Sequence, residues 1–141
     1  MAPIKVGLIG LGTSSDVAMV GAWGVNGHLR SIQGLPDLYE IVAVCNSSVT
    51  SAQKSIDLHK LGAGVKAYGN PEDIAADPDV ELVVVSVEVR NHYKLALPAL
   101  KHKKSVFVEW PLGVSVKQAE ELTGLTKENG VKNMVGLQGR S

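Results

Sequence analysis

The chain has 141 residues, the span of one ordinary domain and enough for a core of its own. Lys plus Arg and Asp plus Glu both number 14, and this zero formal charge argues against direct nucleic-acid binding, which needs a basic excess. Hydrophobic residues make up 45%, too many for a disordered chain, and the single cysteine, Cys45, cannot build a disulfide framework or a zinc site.

The N-terminus reads Met-Ala-Pro-Ile-Lys-Val, with no apolar signal segment. No apolar stretch approaches the roughly 20 residues of a membrane span. A reducing, cytoplasmic compartment is the expectation. The first β-branched run, Ile4–Ile9, predicts a strand. It leads into Gly10-Leu11-Gly12-Thr13-Ser14-Ser15. The next stretch, Asp16 to Gly27, carries Gly21, Gly24 and Gly27, and each costs a helix about 1 kcal/mol against alanine. An irregular loop is predicted there, with the helix proper starting near His28 and running through Leu29 and Ile32. Trp23 is expected as a packing residue, with a surface anchor or a cover over a ligand as alternatives. The imidazole of His28 is expected to pack at the start of its helix.

Ile41–Cys45 predicts the second strand, and Asn46-Ser47-Ser48 follows it. A helix is predicted over Ser51–Leu61 from Ala52, Ile56, Leu58 and Leu61. Val65–Tyr68 reads as a weaker strand. Asn70-Pro71-Glu72-Asp73 has the order of a helix start: a capping asparagine, proline at the first helical position, then acids in the first turn. Leu82–Val87 is the next strand, followed by Glu88 to His92. Asn91–Lys103 reads as a helix with Pro98 as a point of bending. Ser105–Val108 is a fifth strand and ends in Glu109-Trp110-Pro111. Ser115-Val116-Lys117-Gln118 is a capping-box pattern opening a helix to Asn129, and Gly130 is its stop. Asn133–Leu137 closes the series.

Several strands are apolar at consecutive positions, the signature of burial on both faces of a parallel sheet. Strands alternating with helices imply βαβ units with right-handed crossovers. The expected fold is α/β: a doubly wound, mostly parallel six-stranded sheet with helices on both faces. Ligands of such sheets sit beyond the carboxyl ends of the strands, where strand order reverses. The candidates therefore lie just after each strand.

After the first strand, Gly10 and Gly12 match the first two positions of the dinucleotide fingerprint G-x-G-x-x-G/A, and Ser15 stands at the third. The first glycine serves the turn, and the second lets backbone approach a pyrophosphate. Thr13, Ser14 and Ser15 supply the amides that follow. A plain tight turn would show the same two glycines. After the second strand, Asn46 stands where an acid normally takes the ribose hydroxyls of NAD. It does not repel a 2′-phosphate, and Ser47 and Ser48 can donate to one, so NAD and NADP both remain open. An asparagine capping the turn is the plainer alternative. After the fourth strand, Val87, Glu88 and His92 are candidates for contact with the cofactor. Glu88 and His92 are also candidates for proton transfer, while capping or packing is equally open for His92. His59 and His102 are expected in solvent. Glu109, at the end of the fifth strand, faces the crevice, where it can accept from cofactor hydroxyls or hold a neighbouring donor. Trp110 adjoins it.

At Glu109-Trp110-Pro111 the chain resembles the glucose–fructose oxidoreductase, inositol dehydrogenase and rhizopine-catabolism family. The resemblance also rests on Gly7 to Gly12, on His92 with Ala96, Pro98, Ala99 and Leu100, and on Val135-Gly136-Leu137-Gln138-Gly139-Arg140. It implies a Rossmann-type NAD(P)-binding domain over residues 1–141. It further implies a C-terminal α/β domain, supplying most contacts to a substrate or protein partner, so the 141 residues are expected to be a fragment. Oxidation of a sugar, polyol or related alcohol is the activity implied. Two departures bear on that activity. The usual Glu-Lys-Pro, whose lysine relays a proton, has Trp110 in the lysine's place. The usual Thr-Pro ahead of the histidine reads Val87-Glu88. Both resemble a fungal subgroup that includes a galactose-regulon repressor, which implies the alternative of a non-catalytic, dinucleotide-sensing regulator.

Overall fold

The computed structural model describes residues 1–12 and 22–137. Six strands, β1 (Ile4–Ile9), β2 (Tyr39–Cys45), β3 (Lys66–Tyr68), β4 (Leu82–Val85), β5 (Ser105–Glu109) and β6 (Asn133–Gly136), form one sheet in the order β3-β2-β1-β4-β5-β6. Every pairing is parallel. The order reverses between β1 and β4, so their carboxyl ends frame the crevice where such sheets bind ligands. The sheet is the doubly wound one expected, and its strand ends fall within two residues of the predicted ones.

Helices cover both faces, and each face has its own core. One is built on Ile9, Ala43, Val83, Val85 and Val106 against Ile74, Ala96, Leu100 and Leu122. The other is built on Val6, Leu8, Val44 and Val84 against Val25, Leu29, Ala52 and Ile56. Alternate β1 residues serve alternate faces, which is why the run carries no polar positions from Val6 to Ile9. Ser48 caps α2 (Val49–Leu58), Asn70 caps α3 (Pro71–Ala76) and Ser115 caps α5 (Val116–Asn129), each accepting from an amide two or three residues on. Gly130, at φ 65°, ends α5 in the left-handed conformation. The predicted asparagine and serine caps at 70 and 115 are therefore found. α2 begins two residues before its predicted start, because Ser48 is its cap. α4 (His92–Lys101) passes through Pro98 without interruption.

The segment before β2 corrects the sequence prediction. A loop was expected up to His28, yet Ala22 and Trp23 are already helical, Gly24–Leu29 is a π-helix, and α1 (Arg30–Gln33) continues it. The wide turn is visible in the amide of Arg30, which reaches the carbonyl of Val25 five residues back. Two glycines that weaken the helix intrinsically sit at close contacts. A Cβ on Gly24 would lie 3.1 Å from the carbonyl oxygen of Gly10, and one on Gly27 would lie 2.7 Å from the indole of Trp23. Close approach overrides propensity here. Among the described residues no helix is long and apolar enough to cross a membrane.

One polar cluster fixes the β3 edge. The Asp77 side chain is 1% exposed. It accepts from Tyr68 Oη at 2.7 Å, Lys66 Nζ at 3.0 Å and the Asp79 amide at 2.9 Å. Burial pushes this carboxyl up, but the hydrogen bonds from the Asp79 amide, Tyr68 and Lys66 outweigh burial and hold it below its ordinary 3.8. A depressed folded-state value gives stability that is complete above the unfolded value and lost as pH falls through the folded one. Thermal melts across the acid range should therefore show wild type losing stability below about pH 4. Asp77→Asn should be less stable near neutrality and flatter across that window; a variant as acid-sensitive as wild type would refute the assignment.

Candidate functional site

The site starts from the end of β1. Gly10 has φ 91°, a left-handed conformation that L side chains rarely adopt. A Cβ there would fall 2.3 Å from the Ser86 carbonyl oxygen and 2.5 Å from Val87 Cγ1. The glycine is thus required twice, for its backbone angle and for the approach of the β1 end to the β4 end. The Ser86 amide donates to the Ile9 carbonyl at 2.9 Å, and the Gly10 amide donates to the Cys45 carbonyl at 3.0 Å. The first loop is therefore stitched to both neighbouring strands as it leaves the sheet.

Beyond that point the loop's acceptors face the second βα unit. The Leu11 carbonyl accepts from Ser55 Oγ at 2.7 Å and from Asn46 Nδ2 at 3.0 Å. The Gly12 carbonyl accepts from His59 Nε2 at 2.9 Å. Thr13, Ser14 and Ser15 lie outside the described residues. Ser47 is exposed at the end of β2, and Ser48 is taken up as the cap of α2. His59, expected in solvent, is half-buried on the loop instead. His102 is more exposed and pairs with Glu72 at 2.6 Å.

Across the crevice, Glu109 ends β5 with its side chain only 8% exposed. Its Oε1 accepts from His28 Nε2 at 2.8 Å and from Ser86 Oγ at 3.1 Å. Of the two roles open to it from sequence, the structure shows the holding of neighbouring donors. His28 is not a simple packing residue: it carries the π-helix onto β5, with its ring edge-on to Phe107 at 5.2 Å and to Trp23 at 6.3 Å. Trp23 itself is 43% exposed, so the expectation of a packed tryptophan gives way to a surface one. His92 is 1% exposed, with Nδ1 facing the Pro111 carbonyl at 2.7 Å and Nε2 facing the Val87 carbonyl at 2.9 Å. A neutral imidazole carries one N–H, so His92 donates to one of these carbonyls while its other nitrogen is closed off against the second. Glu88 is half-exposed and paired with Arg90. Trp110 is 66% exposed, while its amide donates to the Gly136 carbonyl at 2.8 Å and keeps the backbone in the sheet. Burial, with the Asp73 carboxylate, pushes the Cys45 thiol up to about 11, so it remains a protonated core residue. Among the described residues no group of three or more His, Cys, Asp or Glu could hold a metal ion.

The fold is shared with known proteins. The model of the oxidoreductase family with an NAD-binding Rossmann fold, GFO_IDH_MocA, matches residues 4–137. The chain belongs to this family. It is similar to the dehydrogenase AclE of Aspergillus oryzae, with 42% identity over 75% of this chain and 29% of that protein. It is similar to the inositol 2-dehydrogenase of Salmonella typhimurium, with 32% identity over 95% of this chain and 36% of that one. The solved structure of the transcriptional regulator Gal80p from Kluyveromyces lactis superposes with a TM-score of 0.82 and 31% identity, covering 94% of this chain and 32% of that one. The chain thus spans about a third of the length of these relatives. It is an NAD-binding Rossmann domain of the Gfo/Idh/MocA family, with both dehydrogenases and a transcriptional regulator among its relatives.

Sequence reasoning missed His28, Ser86, Ser55 and His59. Ser86, a hydroxyl closing the Leu82–Val85 run, was the one visible signal. The rest depend on pairings 44 to 81 residues apart in the chain. Two measurements check the geometry. Gly10→Ala combines a left-handed alanine with a clash on β4 and should cost about 2–5 kcal/mol in urea unfolding. His28→Ala and Glu109→Ala should be non-additive by about 1–3 kcal/mol in a double-mutant cycle, because either one removes the same buried contact. Strict additivity would dissolve the pair.

Proposed function

We propose that the chain is the dinucleotide-binding domain of an NAD(P)-dependent oxidoreductase acting on a sugar, polyol or related alcohol. The observation that carries it is the Gly10 turn packed against β4 at the strand-order reversal, with the Leu11 and Gly12 carbonyls drawn back toward α2. Gly10, Gly12 and the amides after them would receive the pyrophosphate. When bound, the nicotinamide would supply hydride chemistry. Trp110, Val87, Glu88 and Glu109, at or just after the ends of β4 and β5, would line the cofactor's other end. No carboxylate stands at position 46, so NADP is accepted beside NAD. Discrimination between the two should stay under about a hundredfold, or ~2.7 kcal/mol, in calorimetric titrations. A larger preference for NAD would count against this reading of position 46.

A second reading is a non-catalytic, dinucleotide-sensing regulator that acts on a protein partner. A specific observation favours it. His92 faces two carbonyls, Glu88 is paired with Arg90, and Glu109 holds His28 and Ser86. The indole of Trp110 does no acid–base work at neutral pH. General acid–base help is worth about 10²–10⁴-fold, and substrate positioning adds more. The 141-residue chain should therefore bind dinucleotide yet show no turnover in a nicotinamide-absorbance assay with sugars and polyols. Trp110→Lys should not restore turnover in this chain. Steady-state oxidation by the wild-type chain would overturn the regulator reading.

A further inference from the structure

We infer that Asn46, Ser55 and His59 are positioning residues for the dinucleotide loop, and that Asn46 braces this loop instead of reading the adenosine ribose. The inference rests on dinucleotide binding as proposed above. Two successive loop carbonyls are bound by donors from one structural unit, β2 and the helix that follows it. Ser55 Oγ and Asn46 Nδ2 both reach the Leu11 carbonyl, at 2.7 and 3.0 Å, and His59 Nε2 reaches the Gly12 carbonyl at 2.9 Å. Asn46 also donates to Ser55 Oγ at 3.0 Å, so the first two donors support one another. Ser55 is completely buried. It stands on α2 one turn ahead of His59, the helix's C-cap, so the two project along one helix face.

Peptide planarity turns this grip into a function. A peptide's carbonyl and amide point in opposite directions within one plane. Holding the Leu11 carbonyl toward α2 therefore turns the Gly12 amide away from α2. The Gly12 amide is then a donor available to a diphosphate, with the Leu11 and Gly12 carbonyls already paired. A loop oriented before the ligand arrives does not pay ordering entropy on binding.

The orientation of the Asn46 amide is independent support. Its Nδ2 faces the carbonyls of Leu11 and Ser51, and turning the group over would set oxygen against oxygen. The Asn46 Oδ1 atom is buried and has no partner among the described residues. Leaving a buried acceptor unpaired is costly, and the arrangement holds because the Nδ2 contacts fix the amide. With no exposed surface, Oδ1 presents nothing to a ribose hydroxyl.

The test uses the 141-residue chain, titrated calorimetrically with NAD⁺ and with NADP⁺, and the melting temperature of each unliganded variant. His59 is half-buried at a helix end, so His59→Ala should fold normally and weaken both dinucleotides about five- to tenfold, the worth of one hydrogen bond. His59→Gln, which keeps a donor, should restore binding to within about threefold of wild type. Asn46→Ala should weaken NAD⁺ and NADP⁺ by the same factor and leave their ratio unchanged. A His59→Ala chain that binds like wild type, or a Gln variant as weak as the Ala variant, overturns the positioning role of His59. A changed NAD⁺ to NADP⁺ ratio in Asn46→Ala assigns Asn46 to the ribose and overturns that part of the inference. Failure of wild type to bind either dinucleotide would instead overturn the proposed function, and the inference with it.

Discussion

The Glu109 carboxylate, nearly sealed from solvent, receives His28 from the π-helix and Ser86 from the end of β4. Three elements that approach the switch point from different parts of the chain thus meet on one oxygen. A buried carboxylate without partners would carry a heavy desolvation cost, so each element is held in place by the requirement to pair it. The π-turn fits this demand. Within it, Gly24 allows the helix to come within reach of Gly10 and Ser86 while His28 reaches β5. Regular α-helical spacing would rotate His28 relative to Gly24, and the two contacts are made from one wide turn.

A second constraint mirrors the first across β1. Asn46, Ser55 and His59 bind the loop on the β2 side, while Ser86 and Gly24 crowd Gly10 on the β4 side. The start of the loop is therefore positioned from both flanks before any ligand is present. Such preorganisation is what a phosphate site on a glycine turn requires, since glycine alone leaves the backbone free.

The fold was legible because its signals are local and repeated. Consecutive apolar positions in Val6–Ile9 and Leu82–Val85 marked buried parallel strands, and Asn70-Pro71 and Ser115 marked helix starts. The candidate site was legible only where a rule ties residue to place. Gly10 and Glu109 follow from strand ends at a switch point. The helix containing Trp23 and His28 was not legible, because glycine propensity argues one way and close packing the other, and packing partners are not in the local sequence. His59 was misjudged for a related reason. Its position at the end of an amphipathic helix reads as solvent, and only the tertiary placement of Gly12 gives it a partner. Asn46 is a different case: it stands at the predicted strand end, with its amide turned toward the loop.

The segment Glu109-Trp110-Pro111 shows which parts of a motif this structure holds in place. The carboxylate is fixed by His28 and Ser86, and the proline carbonyl faces Nδ1 of His92, itself buried against the end of β4. The amide of residue 110 continues the sheet by bonding to Gly136. Each of these contacts depends on backbone or on Glu109, and none depends on the side chain at 110, which stands 66% exposed at the crevice. That position is therefore the one in the segment where chemistry can change without disturbing the fold. A lysine there would stay solvated and free to exchange protons, whereas an indole offers a flat apolar face and a single donor. The contacts that hold this scaffold thus do not depend on the side chain at 110, and one domain architecture occurs in dehydrogenases and a transcriptional regulator alike.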